Sequence, residues 1–111
     1  MNVRMAITAA AVALVAGAGR LTAQQPETPA AQYTRTCAAC HGQAGVPAPA
    51  MATSMGIPNF TDPHGVAAKP DSVLAASIHN GKGKMPAYGS RLTAEQIRAL
   101  VTYIKALSHH S

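Results

Sequence analysis

Apolar residues fall at helical spacing in two stretches of this chain and run unbroken in a third. The clearest stretch is the last, where Ile97, Leu100, Val101, Ile104 and Leu107 keep one face of a helix apolar. Thr93 and Gln96 stand ahead of it at the spacing of a capping box, and Leu92 is placed to staple against Ile97. A second helix is predicted after Pro70, with Asp71 or Ser72 as its cap. Val73, Leu74, Ser77 and Ile78 follow at helical spacing, and Asn80-Gly81 supplies the stop. A shorter helix is expected to begin between Thr28 and Ala31 and to run into Cys37. Residues 42–70 hold five prolines and four of the nine glycines with little periodicity, and read as loop with at most short helical turns. Gly81-Lys82-Gly83-Lys84-Met85-Pro86 also reads as loop, because glycine and proline break a helix from both sides. There is no strand-like alternation and no internal repeat, so the predicted class is all-α, with three to four short helices and long loops.

The unbroken apolar run changes the domain picture. Arg4 precedes a charge-free run from Met5 to Gly19, and Arg20-Leu21-Thr22-Ala23 follows with small residues available for cleavage. This is the layout of a secretory signal peptide over residues 1–23, cleaved after Ala23 with Ala18 as the competing site. The run is shorter than the ~18–20 apolar residues that cross a bilayer as a helix, although an uncleaved short anchor has the same pattern. No cysteine lies near the boundary to carry a lipid. The expected division is a signal peptide at 1–23, a flexible leader at 24–32, a folded domain at 33–108 and a frayed end at 109–111. A periplasmic location follows from it.

Composition then narrows the class. The chain has 111 residues and a formal net charge of +5, with three tyrosines, one phenylalanine and no tryptophan. A domain this small and poor in aromatics needs a staple such as a disulfide, metal or cofactor. Its positive residues are few and scattered, which excludes a nucleic-acid footprint.

The only two cysteines stand in Cys37-Ala38-Ala39-Cys40-His41. Three chemistries use such a pair. Both thiols add to the vinyl groups of one haem, with the adjacent His41 delivered to the iron as an axial ligand. Alternatively the pair is a redox dithiol, which normally sits in a βαβ setting that this chain lacks. A structural zinc site wants four ligands, and no second cysteine pair exists. Export favours haem, because attachment of this kind takes place outside the bacterial cytoplasmic membrane.

A haem iron held by His41 alone keeps an open position. Met85 offers the second bond, since it stands in a glycine- and lysine-rich loop with almost no apolar neighbours to explain it as core filling. A neutral thioether favours ferrous iron and raises the reduction potential relative to a second histidine. Met55 is the main methionine rival and Met51 a weaker one, both in the loop after His41 and neither followed by proline. His64 and His79 are the residues that offer a bis-histidine site instead. His79 reads as a surface or C-cap residue, and His109 and His110 lie in the frayed end.

Taken in order, Cys37-Ala38-Ala39-Cys40-His41-Gly42, Ile57-Pro58-Asn59-Phe60, Asn80-Gly81-Lys82-Gly83-Lys84-Met85-Pro86 and the final helix from Thr93 carry a likeness over most of residues 33–107. The chain resembles class I c-type cytochromes, especially small bacterial monohaem proteins of the c551, c552 and c555 kind and related haem domains of respiratory complexes. The resemblance implies a small cytochrome c fold wrapped around one covalent haem c, with Cys37 and Cys40 as thioethers and His41 and Met85 as axial ligands. It implies terminal helices that cross beside the haem, with Tyr33 meeting Tyr103 or Leu100. It also implies a proline carbonyl, of Pro47 or Pro49, accepting a hydrogen bond from the ligand histidine. Family members often carry a pocket tryptophan, and here Phe60 and aliphatic residues must fill that role.

The function expected is single-electron transfer by a carrier rather than an enzyme. The alternatives are a haem relay subunit held in a membrane oxidoreductase complex and, third, a ligand-binding or peroxidatic haem protein. Expected partners are protein donors and acceptors with acidic docking faces that Lys82 and Lys84 would meet, and the chain is expected to act as a monomer.

Overall fold

The computed structural model describes residues 9–14, 17 and 25–110. Most of the predicted signal peptide lies outside the described residues. Among them no helix is long and apolar enough to cross a membrane.

Helix α1 spans Pro29–Thr36. Thr28 caps it by accepting from the Ala31 N–H at 3.2 Å, and Pro29 occupies the first turn, where a missing N–H costs nothing. Residues 29–32, read from sequence as the end of a flexible leader, are therefore helical, and Gln32 is buried. Cys37 breaks the helical path and begins α2, Ala38–His41, whose His41 N–H still donates to the Cys37 carbonyl at 2.9 Å.

Helix α3, Pro49–Met55, lies in the stretch expected to be loop. Proline in its first turn and left-handed Gly56 after its last residue bound it, the asymmetric pair of signals that marks a helix independently of periodicity. Its residues are exposed or half-buried, so it carries no core stripe to read. A single 3₁₀ turn, Val66–Ala68, follows.

Helix α4 spans Asp71–Asn80. The N-cap is Pro70 and not Asp71 or Ser72 as expected, and no side chain caps it. Asp71 instead enters the first turn, where its charge complements the helix dipole. Helix α5, Ala94–Ala106, has the full capping box: Thr93 N–H donates to Gln96 Oε1 at 2.8 Å and Gln96 N–H to Thr93 Oγ1 at 3.1 Å. A 3₁₀ turn, Leu107–His109, follows α5.

The described residues thus form five α-helices, against the three to four expected, and α5 is the hub of the packing. It touches α1, α4 and the 66–68 turn and buries Ile97, Leu100, Val101 and Ile104. Across the α1–α5 contact the Tyr33 and Tyr103 rings lie 5.0 Å apart, and Leu100 is wholly buried. Asp71 and Lys105 form an exposed ion pair between α4 and α5. The described residues contain no strand, only an isolated bridge between Lys82 and Met85.

Candidate haem site

One cavity of about 490 Å³ is walled by Cys37 and Cys40, His41, Met55 and Met85, and core residues from Phe60 to Ile104. That volume lies within the ~300–1,000 Å³ typical of cofactor sites. A shallower depression of about 650 Å³ between α4 and α5 holds neither cysteine and neither methionine.

Local structure explains how the thiols arrive there. The break at Cys37 and the single turn of α2 set Cys37, Cys40 and His41 on one short arc. Tyr33 secures its far end by donating its O–H to the Gly42 carbonyl at 2.8 Å. Gly42 has φ +80°, and a Cβ there would fall 2.0 Å from the Val46 carbonyl oxygen, so the chain turns sharply away immediately after His41.

The protonation states suit the chemistry. Burial, aided by the neighbouring Cys40, pushes the Cys37 thiol up to about 11, so it keeps its proton at neutral pH. The two cysteines are not joined to each other. Burial also pushes the His41 imidazole below its ordinary value and favours the neutral ring that binds metals. That ring stacks on Phe60, with centroids 4.5 Å apart and planes 18° apart.

His41 lines the cavity, and its Nδ1 is buried without a hydrogen-bond partner. Neither expected proline carbonyl reaches Nδ1. Pro47 is buried nearby in sequence, whereas Pro49 is exposed at the start of α3. The ring is thus held by stacking rather than by that hydrogen bond.

Both methionine candidates reach the cavity, Met55 from the end of α3 and Met85 from the loop after α4. They differ in how they are held. Met85 packs against the core, and its N–H and C=O pair with Lys82 at 3.0 and 3.2 Å. Gly81, at φ +74°, permits this tight loop, since a Cβ there would meet the Met85 carbonyl oxygen at 2.6 Å. Met51, His64 and His79 do not line the cavity. The His79 ring lies against Gly89 and its Nδ1 is 2.9 Å from Asn80 Oδ1.

Among the described residues no three His, Cys, Asp or Glu side chains converge as a metal cluster, so the donors for a zinc site are not brought together. Two thiols, a neutral imidazole and a thioether around an apolar cavity instead fit haem c. Lysines 69, 82 and 84 are the charged residues in its wall, and no acidic residue joins them. Lys69 was missed in the sequence, as was Tyr88, whose ring lines the cavity beside Met85. The one signal for Tyr88 was its place just past the Met85-Pro86 pair.

A helical shell around such a cavity defines a small class I c-type cytochrome. The chain belongs to the family described as cytochrome c oxidase, cbb3-type, subunit III, whose family model matches residues 24–104. It is 33% identical over 76 residues to the cbb3-type cytochrome c oxidase subunit FixP of Bradyrhizobium diazoefficiens, covering 68% of this chain and 25% of that protein. It is 34% identical over 83 residues to cytochrome c6 of Rippkaea orientalis, covering 67% of this chain and 63% of that one. The chain thus spans about a quarter of FixP. Among solved structures, the KustC0563 c-type cytochrome matches with a TM-score of 0.66 and 26% identity, over 73% of this chain and 98% of that one. Covalently bound haem c is therefore the cofactor. The family is one of electron carriers, also found as oxidase subunits, and its members typically work outside the cytoplasm.

Proposed function

We propose that this protein is a monohaem electron carrier of the periplasm, exported by the signal peptide at 1–23, with the helices from α1 to α5 as its folded domain. The observation that carries the reading is the meeting of Cys37, Cys40, His41 and Met85 around one apolar cavity. Cys37 and Cys40 would hold the porphyrin through thioether bonds to its two vinyl groups, and His41 and Met85 would supply the nitrogen and sulfur ligands of the iron. Bound in this way, haem c supplies one-electron chemistry at an iron that stays six-coordinate in both redox states. With His41 and Met85 both on the iron no position would be left open for a substrate, which favours a carrier over a peroxidatic or ligand-binding protein.

An optical spectrum in both redox states, with the intact mass, tests this. The mass should equal the chain without residues 1–23 plus one haem, and the oxidised spectrum should contain the sulfur-to-iron charge-transfer band. A mass without haem overturns the cofactor assignment, and a missing band overturns Met85.

The match to subunit III and to FixP favours a second reading, a haem relay held in a membrane oxidoreductase complex. Co-purification with a larger membrane partner would support it, whereas recovery as a free monomer in the periplasmic fraction supports the diffusible carrier. In either setting Lys69, Lys82 and Lys84 give the cavity mouth one sign of charge, suited to an acidic face on a redox partner. Transfer rates that fall with rising salt are expected, and rates indifferent to salt would rule out this docking mode.

A further inference from the structure

The methionine loop and the cysteine turn are far apart in sequence, yet both must sit at fixed distances from one iron. Tyr88 joins them. Its backbone N–H donates to the Ile78 carbonyl at 3.0 Å, anchoring the end of the loop to α4. Its O–H donates to the Thr36 carbonyl at 3.4 Å, and Thr36 immediately precedes Cys37. The ring lines the cavity, and the Arg91 guanidinium lies 4.9 Å from its centroid, so the side chain is held from a second direction. Arg91 and Leu92 each donate their N–H to the Tyr88 carbonyl at 2.9 Å, which fixes the backbone on the other side.

The remaining restraints on the loop point elsewhere: the Gly89 N–H donates to the His79 carbonyl at 3.0 Å, on α4 and not on the cysteine turn. The Lys82–Met85 bridge is internal to the loop and fixes its shape but not its position. Lys84 Nζ reaches the Ser54 carbonyl at 3.3 Å, from an exposed side chain and to α3 rather than to the cysteine turn. Tyr88 is the residue that spans from the loop to the segment bearing the haem thioethers.

We propose that Tyr88 is a positioning residue: its hydroxyl bond to Thr36 ties the methionine loop to the haem-attachment turn and so holds the Met85 sulfur at the iron. The inference rests on the reading of Met85 as an axial ligand. It predicts that weakening the tie makes the sulfur easier to displace without changing what is bound.

Imidazole titration of the oxidised holoprotein tests this, following loss of the sulfur-to-iron band. Tyr88→Phe removes only the hydroxyl and keeps the ring under Arg91. Its half-saturating imidazole concentration should fall about fivefold, the ratio that a net hydrogen bond of ~1 kcal/mol gives. Thr28→Ala is the control: it removes the α1 cap at the end of that helix opposite Thr36, where no residue lines the cavity, so it should lower the melting temperature while leaving the imidazole titration unchanged. An unchanged titration in Tyr88→Phe, with Met85→Ala lacking the band, overturns the role of Tyr88 alone. If Thr28→Ala shifts the titration as much as Tyr88→Phe, the effect is general loss of stability and the proposal also fails. If Met85→Ala retains the band, the ligand reading falls first and this proposal with it.

Discussion

Tyr33 shows how one side chain links the helical crossing to the haem turn. It is wholly buried, its ring lies against Tyr103, and its hydroxyl donates to the Gly42 carbonyl beyond His41. Burial pushes its phenol well above the ordinary tyrosine range, with smaller contributions from Cys37 and Tyr103. The folded state therefore keeps the proton, while the unfolded chain gives it up near pH ~10. The stability linked to this group is complete below that pH and is lost as pH rises above it. In the holoprotein, the melting temperature should fall progressively above pH ~10, and Tyr33→Phe should flatten that fall. Tyr33 phenolate absorbance should appear only as the native haem spectrum is lost; an early signal with the haem spectrum intact would contradict the assignment. The crossing role of Tyr33 was legible through the resemblance, and Cys37, Cys40 and His41 were legible because covalent attachment demands that spacing. The hydroxyl bond to Gly42 was not. It depends on a backbone reversal at φ +80° that no pattern of residue types encodes.

At the level of elements, legibility followed burial. Helix α5 was readable because one face, made by Ile97, Leu100, Val101 and Ile104, enters the core and its capping residues are visible as side chains. Helix α3 was hidden because almost none of its surface does, leaving only its terminal proline and glycine as signals. The Met85 loop lay between these cases: glycine and proline announced a loop, but its internal pairing and its ties to Ile78 and Thr36 are contacts across space. Gly81 is where the loop and α4 meet, and it yields a sharp expectation. In Gly81→Ala the methyl group meets main-chain atoms of residues 85–87 at 2.6–3.0 Å, on top of an unfavourable positive φ. Backbone atoms cannot rotate away, so the loop must shift. The variant should lose more than the ~1 kcal/mol of an ordinary left-handed glycine replacement and should lose the sulfur-to-iron band before it loses haem. Gly83→Ala, at φ +57° but with open space around it, should show only the conformational cost. Equal effects in thermal melts and spectra would mean that the close approach at Gly81 does not control the loop.

For the whole molecule, the question is what the core is made of. Seven of the ten buried hydrophobic side chains also wall the cavity: Phe60, Val66, Leu74, Ile78, Leu92, Leu100 and Ile104. The core is thus a shell, and the shortage of aromatic residues noted in the sequence is the compositional trace of a centre supplied by the cofactor. An apolar void of about 490 Å³, at ~24 cal/mol per Å³, would cost about 12 kcal/mol. That is an upper figure because the mouth opens to water, yet it equals the ~5–15 kcal/mol that holds an ordinary domain together. Helix α5 and its cap cannot offset such a loss, since a capping box contributes only ~1 kcal/mol. The haem-free chain, prepared as Cys37→Ala/Cys40→Ala, should therefore lack a cooperative melt and near-ultraviolet circular dichroism, with helicity well below that of the holoprotein. Added free haem should restore part of both signals, because the shell, His41 and Met85 remain. A haem-free chain that melts cooperatively near the holoprotein's temperature would show that the helices close the void themselves, and that the cofactor occupies this fold without completing it.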